Sequence, residues 1–348
     1  MPRAMLAVMS DAPSPETNTQ NTPNAPSAPS ARPPVRIVLD CDPGHDDVVA
    51  IVVAAHTTEL LGITTVAGNA PLDRTTYNAC VVRDALGLTV PVHAGAERPL
   101  VAPPKFADFV HGESGLDGAE LPVPRRGPDS ADAVAFIVET CRSNDDVWLV
   151  PTGPLTNIAL ALRSAPDLVG RIAGISLMGG GTFGNRTPLA EFNIWADPEA
   201  AAVVFGCGVP LIMAGLDVTH QLIVTPERID EVDAVGLPFT SLMADLFRFF
   251  SNNYVSRHDH IIGAALHDPL AVLALTHPQL FTGTDRHVTI ETHGRHTAGM
   301  TVIDRRDITD REAPNVHVLD RVDHLAAWAL VVDALRAGAT RPGADPSH

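Results

Sequence analysis

Lysine is almost absent from this chain: Lys105 stands alone against 23 arginines. Mechanisms built on a catalytic lysine, including Schiff-base chemistry and P-loop phosphate binding, are therefore disfavoured. Basic residues of both kinds are outnumbered 24 to 41 by acids, for a formal net charge of −17. Phosphate backbones are gripped by clustered cations, so nucleic acid is not an expected partner. The four cysteines, Cys41, Cys80, Cys141 and Cys207, lie far apart with no Cys-x-x-Cys pair. That spacing suggests neither a zinc ribbon nor a redox pair, and reduced, mostly buried thiols are expected. No apolar run reaches the roughly 20 residues of a membrane helix, and residues 4–9 fall short of a secretory core of about 7–15. The expectation is a protein without membrane contact, placed in the cytoplasm.

What is present is a 348-residue chain with 45% hydrophobic and 19% charged residues, enough for a sizeable core. Residues 1–34 hold 8 of the 30 prolines and neither glycine nor an aromatic residue. Such a segment cannot bury enough surface to order itself and reads as a disordered tail. Residues 339–348 (ATRPGADPSH, from Gly338 onward) read as a flexible C-terminal tail, leaving 35–338 as one large domain. From Val35, short apolar runs alternate with helical ones, in the order VRIVLD, DDVVAIVVAA, LGITTVAG, RTTYNACVVRDAL, VPVHAG. After a Pro/Gly-rich loop at 97–129 the alternation resumes through DVWLVPTG, ISLMGG and VPLIMAGLDVT. Strands apolar on both faces, separated by amphipathic helices, predict an α/β fold with a mostly parallel open sheet flanked by helices. Later helices are expected over 226–236, 238–258, 267–276 and 324–337, with strands at 287–294 and 297–305.

In such a sheet ligands bind beyond the carboxyl ends of the strands, and polar residues gather there: Asp42, Asp46, Asp47, Asn69, Thr152, Asn185, Glu191 and Asn193. Singly, each is explained as a cap or turn residue. The run Asp40-Cys-Asp-Pro-Gly-His-Asp-Asp47 is different, because four carboxylates within eight residues repel one another. Helix dipole and capping account for one or two of them; stabilising all four calls for a cation, and hard oxygen donors favour Ca²⁺ or Mg²⁺ over zinc. Gly179-Gly-Gly-Thr-Phe-Gly184 satisfies G-x-G-x-x-G after a strand, but no helical pattern follows, so a dinucleotide site is not expected.

The segments DCDPGHDDVVAI, VAGN at 66–69, PTGPLTN at 151–157, LMGGG at 177–181, AEFNIWADPEAA at 190–201 and HDPLAV at 267–272 together closely resemble the nucleoside hydrolases of the inosine/uridine-preferring kind. The resemblance implies a Rossmann-like, homodimeric or homotetrameric enzyme that binds one Ca²⁺ and hydrolyses the N-glycosidic bond of ribonucleosides to base and ribose. Carried over by position, it implies Asp42, Asp47, Asp268 and the Thr152 carbonyl as calcium ligands. Asp42 would also act as general base toward the attacking water. Asp46, Asn69 and Asn193 would hold the 2′ and 3′ hydroxyls, Asn185 and Glu191 the 5′ hydroxyl, and Met178 would line the sugar pocket. His267 would protonate the departing base. The loop 110–118 (VHGESGLDG) resembles an active-site flap, with His111 on the 5′ side, and Tyr254, Arg257, His258 and His260 are candidates for contact with the base, purine or pyrimidine. Two other readings compete. A phosphatase would use Asp40 as nucleophile and Asp42 as acid/base beside Mg²⁺, but lacks the usual lysine. A non-catalytic nucleoside- or ribose-binding protein would have lost the metal shell.

Overall fold

The computed structural model describes residues 34–256, 262–306 and 308–341. Of the expected tails at 1–34 and 339–348, residues 1–33 and 342–348 lie outside the described residues, as do the candidates Arg257, His258 and His260. The first half runs β1 (Arg36–Cys41), α1 (His45–Thr57), β2 (Glu59–Thr65), α2 (Leu72–Ala85), β3 (Val92–Ala94), α3 (Asp108–His111), α4 (Ala133–Ser143), β4 (Val147–Pro151), α5 (Thr156–Ser164) and β5 (Gly174–Met178). It continues with α6 (Phe192–Ala196), α7 (Pro198–Phe205), β6 (Leu211–Ala214), α8 (Leu216–Thr219), β7 (Ile223–Val224), α9 (Pro226–Asp233), α10 (Pro238–Val255) and β8 (Ala264–Ala265). The last elements are α11 (Pro269–Thr276), β9 (Phe281–Arg286), β10 (Val288–Ile290), β11 (Thr301–Ile303), β12 (Val316–Val322) and α12 (His324–Ala339).

Eight strands form one sheet in the order β3-β2-β1-β4-β5-β6-β12-β9, parallel except for the antiparallel edge pair β12/β9. Alternation along β1 sends Ile37, Leu39 and Cys41 into the core under α1, and Val38 into the core on the opposite face. Helix α1 is buried on nearly every side, which its unbroken Val/Ala/Ile run permits. The expected mostly parallel α/β sheet is present. Three local readings differ from it. The segments at 287–294 and 297–305 supply only β10 and β11, a separate two-stranded antiparallel ribbon. The last places in the main sheet go instead to β12 and β9, where no strand was expected. Helix α12 runs on to Ala339, one residue past the expected domain end.

The chain moves outward from β1 through β2 to β3, and in the other direction from β4 through β5 to β6. Connections therefore diverge at the β1/β4 boundary, the place where an open parallel sheet leaves a crevice for ligand. Asp40 pairs with Pro151 across this boundary, and the Thr152 N–H donates to the Asp40 carbonyl at 2.8 Å. Asp42 and Thr152 are thus delivered side by side.

Candidate active site

Pro43-Gly44 turns the chain from β1 into α1, putting Asp46 and Asp47 in the first helical turn. Asp47 clips three loops together. Its carboxylate accepts from Gly44 N at 3.0 Å, the Asn69 amide at 3.0 Å and the Thr152 hydroxyl at 2.8 Å. The Asp42 carboxylate lies between Gly68 and Gly153; a Cβ on either would stand 2.1 Å or 2.5 Å from an Asp42 oxygen, so only glycine fits. One Asp42 oxygen accepts from Asn69 N at 2.6 Å, while Oδ1 is buried without a hydrogen-bond partner among the described residues. Asp46 Oδ1 is in the same condition.

Asp46, Asp47 and Asp268, the last at the head of α11, place carboxylate oxygens within 4.8 Å of one another, all buried. Asp42 is outside this trio and joins it through Asp47, whose Oδ1 accepts from Asp42 N at 3.4 Å. The Thr152 carbonyl accepts from the Asn193 amide at 2.7 Å, and both residues line the pocket with Asp46 and Asp268. Burial, aggravated by the neighbouring carboxylates, pushes Asp42 and Asp268 well above the ordinary carboxylate range and Asp46 up to about 8. The cause is lost hydration and like charge, and both are relieved by a cation. Orphaned carboxylate oxygens in an all-oxygen donor set fit a hard divalent ion.

A pocket opens above this cluster. Its wall includes Asp46, Asn69, Thr152, Asn193 and Asp268 at the floor, with Met178, Asn185, Glu191, His111, Tyr254 and His267 around it. Eleven of the sixteen site residues expected from the sequence meet here; Asp42 and Asp47 are not part of the wall, and Arg257, His258 and His260 lie outside the described residues. Glu191 also serves as the N-cap of α6, accepting from Asn193 N, Ile194 N and Gly180 N at 2.9–3.1 Å. The Gly180 amide is therefore spent on Glu191, and no helix opens directly behind the glycine loop, so the dinucleotide pattern is coincidental. His267 Nδ1 meets the Thr219 hydroxyl at 2.8 Å, and Tyr254 approaches the His220 ring at 3.3 Å. Asp40 has no place in the wall: it is fully buried, held by Thr64 at 2.6 Å and Asn157 at 2.7 Å, which removes it as a phosphatase nucleophile.

Several wall residues were not singled out in the sequence: Phe109, Arg186, Phe192 and Phe250. Phe250 stands four before Tyr254 on α10, a helical spacing that would have paired them. Arg186 lies over the Phe109 and Trp195 rings, at 5.1 and 4.7 Å from their centres, a long-range contact with no local signature.

A mostly parallel sheet with buried carboxylates clustered at a pocket, and further carboxylates and amides in its wall, is an arrangement suited to a hydrolase that cleaves glycosidic bonds. Residues 37–329 match the family described as inosine-uridine preferring nucleoside hydrolase, and the chain belongs to that family of N-glycosyl hydrolases. It is 44% identical over 305 residues to a pyrimidine-specific ribonucleoside hydrolase RihA of Escherichia coli (strain SMS-3-5 / SECEC), covering 86% of this chain and 98% of that protein. Among solved structures it is similar to a purine-preferring ribonucleoside hydrolase from Gardnerella vaginalis, with 32% identity, a TM-score of 0.82, and 87% and 99% of the two chains covered. A plant nucleoside hydrolase matches at 29% identity and a TM-score of 0.81, over 87% and 99%. Among the described residues, no helix is long and apolar enough to cross a membrane.

The raised carboxylates are expected to make the protein without bound metal sensitive to alkali. Asp40 and Asp46, at about 7 and 8 when folded against 3.8 ordinarily, hold protons that the unfolded chain has released. The stability they allow is full below pH 3.8 and is lost as pH rises through 7 and 8. Buried His45, pushed down to about 4, slopes the other way but only below its ordinary 6.5. The Tm of chelated protein is therefore expected to fall between about pH 6.5 and 8.5, and an added hard divalent cation to remove the share of that fall due to Asp46. A flat profile without metal would remove the repulsive cluster.

Proposed function

We propose that the chain is a Ca²⁺-dependent ribonucleoside hydrolase that favours pyrimidine ribonucleosides, releasing free base and ribose. The observation that carries this is the unpartnered, buried Asp42 Oδ1 beside the Asp46/Asp47/Asp268 cluster, directly under a pocket walled by amides and carboxylates. Asp42, Asp47, Asp268 and the Thr152 carbonyl would hold the ion, which when bound supplies Lewis acidity toward water and ribose hydroxyls. Asp42 Oδ1 takes the proton of the attacking water, since water is a weak nucleophile until deprotonated. Asp46, Asn69 and Asn193 orient the 2′ and 3′ hydroxyls, and Asn185 and Glu191 the 5′ end. As the base leaves, the ribosyl group gains oxocarbenium character, and these fixed carboxylates and amide dipoles stabilise the developing positive charge. His267 gives the departing base its proton. The pyrimidine preference follows the 44%-identical relative over the purine-preferring enzyme at 32%.

The test is ribose release, as reducing sugar, from inosine, adenosine, guanosine, uridine and cytidine, before and after chelation. Release that is lost on chelation, restored by Ca²⁺ and largest for uridine or cytidine is expected. Chelator-insensitive release overturns the metal role, and a purine-first ranking overturns the preference. Absence of release from all five by folded, calcium-loaded protein returns the binding-protein reading.

A further inference from the structure

The histidine inside the Asp-Pro-Gly-His-Asp-Asp run has no place in the pocket wall, yet it touches the segment that does. His45 is fully buried and stacks against Phe250, 5.1 Å away and nearly parallel, and against Phe249 at 5.6 Å. Its Nε2 lies 2.9 Å from the carbonyl of Asp117, and since a carbonyl only accepts, the proton is on His45. Its Nδ1 lies 3.1 Å from His111 Nδ1, and its backbone N–H reaches that same atom at 3.3 Å. With that proton on Nε2 the His45 ring leaves Nδ1 bare, so His111 Nδ1 either donates its N–H to it or accepts from the His45 backbone N–H, and both uses consume it. Only Nε2 of His111 is left for the pocket its ring lines. Gly44 makes the approach possible: a Cβ there would stand 2.6 Å from His111 Nδ1.

The hydrogen-bond partners of the His45 ring, His111 and Asp117, both lie in the 107–118 loop. That loop is also held from outside, by Ala107 N donating to the Asn69 carbonyl, the Asn78 amide to the Ser114 carbonyl and the Asn253 amide to the Val110 carbonyl, and is otherwise closed on itself. Asp117 N donates to the His111 carbonyl at 3.2 Å, and the Asp117 carboxylate accepts from Glu113 N at 3.0 Å and from the Ser114 hydroxyl. We propose that His45 is a positioning residue that docks this loop onto the start of α1 and sets the His111 ring, so that His111 Nε2 selects ribosides bearing one particular sugar hydroxyl. The inference rests on the ribonucleoside hydrolase reading.

Uridine and its 2′-, 3′- and 5′-deoxy analogues, tested on wild type, His45→Phe, His111→Ala and the double variant, separate positioning from general support. Phenylalanine keeps the stack and removes the ring nitrogens. His111→Ala is expected to lower the preference for uridine over one analogue about tenfold, the worth of one hydrogen bond. His45→Phe should lower that same ratio through KM, and the double variant should be no worse than His111→Ala. Equal losses on every substrate, or a wild-type ratio in His45→Phe, overturn the proposal. Amide exchange at Gly112 and Asp117 reads loop docking without activity: about tenfold faster exchange is expected in His45→Phe, partly restored in His45→Gln, whose amide can still donate to Asp117. Unchanged exchange overturns the proposal even if wild type releases no ribose, an outcome that would separately sink the hydrolase reading.

Discussion

Asp42→Ala and Asp42→Asn are each expected to lower kcat on ribonucleosides by about 10³-fold or more, with the fold retained. The size follows from two losses at one carboxylate: the proposed general base, worth about 10²–10⁴-fold, and an oxygen next to the Asp46/Asp47/Asp268 carboxylate cluster. The carboxylate is expensive to keep, because burial and the charges of Asp47, Asp46 and Asp40 push it well above its ordinary range. Removing it relieves repulsion, which opposes the roughly 1–3 kcal/mol of leaving Asn69 N without its acceptor. Asparagine keeps an oxygen for that N–H and fills the slot between Gly68 and Gly153, so it isolates the missing charge from the missing shape. Thermal unfolding near wild type, joined to lost ribose release, is the expected pair of results. Wild-type turnover by folded Asp42→Asn would remove Asp42 from both roles.

The acid cluster was legible because carboxylates that close have few bland explanations, and the strands before it because both faces are apolar. β1 through β6 read directly from such runs. β9 was not legible: FTGTDR lies at the sheet edge, half exposed along its length, and shows no apolar face. β12 pairs with it and carries Asp320 and Arg321 within its span, which hid a strand that is nonetheless central enough to join β6 to the edge. The short helix ending at His111 sits in a Pro/Gly-rich stretch whose composition says loop. In the site, residue types named the chemistry but not the contacts. Asp47 gathering Gly44, Asn69 and Thr152, and His45 reaching His111 and Asp117, join residues as much as 105 positions apart. Spacing in sequence carries no trace of them.

His267→Ala should split substrates by their leaving groups. On uridine or inosine the departing base needs a proton, so loss of a placed acid is expected to lower kcat by about 10²–10⁴-fold. On p-nitrophenyl riboside the leaving phenolate is stable by itself, and the variant should keep activity within a few-fold of wild type. A solvent-facing helix-start histidine is not what the structure holds: His267 is 7% exposed, lines the pocket, and has Nδ1 against the Thr219 hydroxyl, a setting compatible with the proposed role. It also stands beside Asp268, which gives alanine there a second route to lost activity, through the carboxylate cluster. The two causes differ in their signature. Damage to the cluster lowers both substrates together and weakens Ca²⁺ activation, since water attack is needed in either reaction. Loss of the acid lowers only the nucleosides and leaves the Ca²⁺ dependence where it was. Parallel losses on both substrates, with Ca²⁺ activation unchanged, would take the proton-donor role from His267.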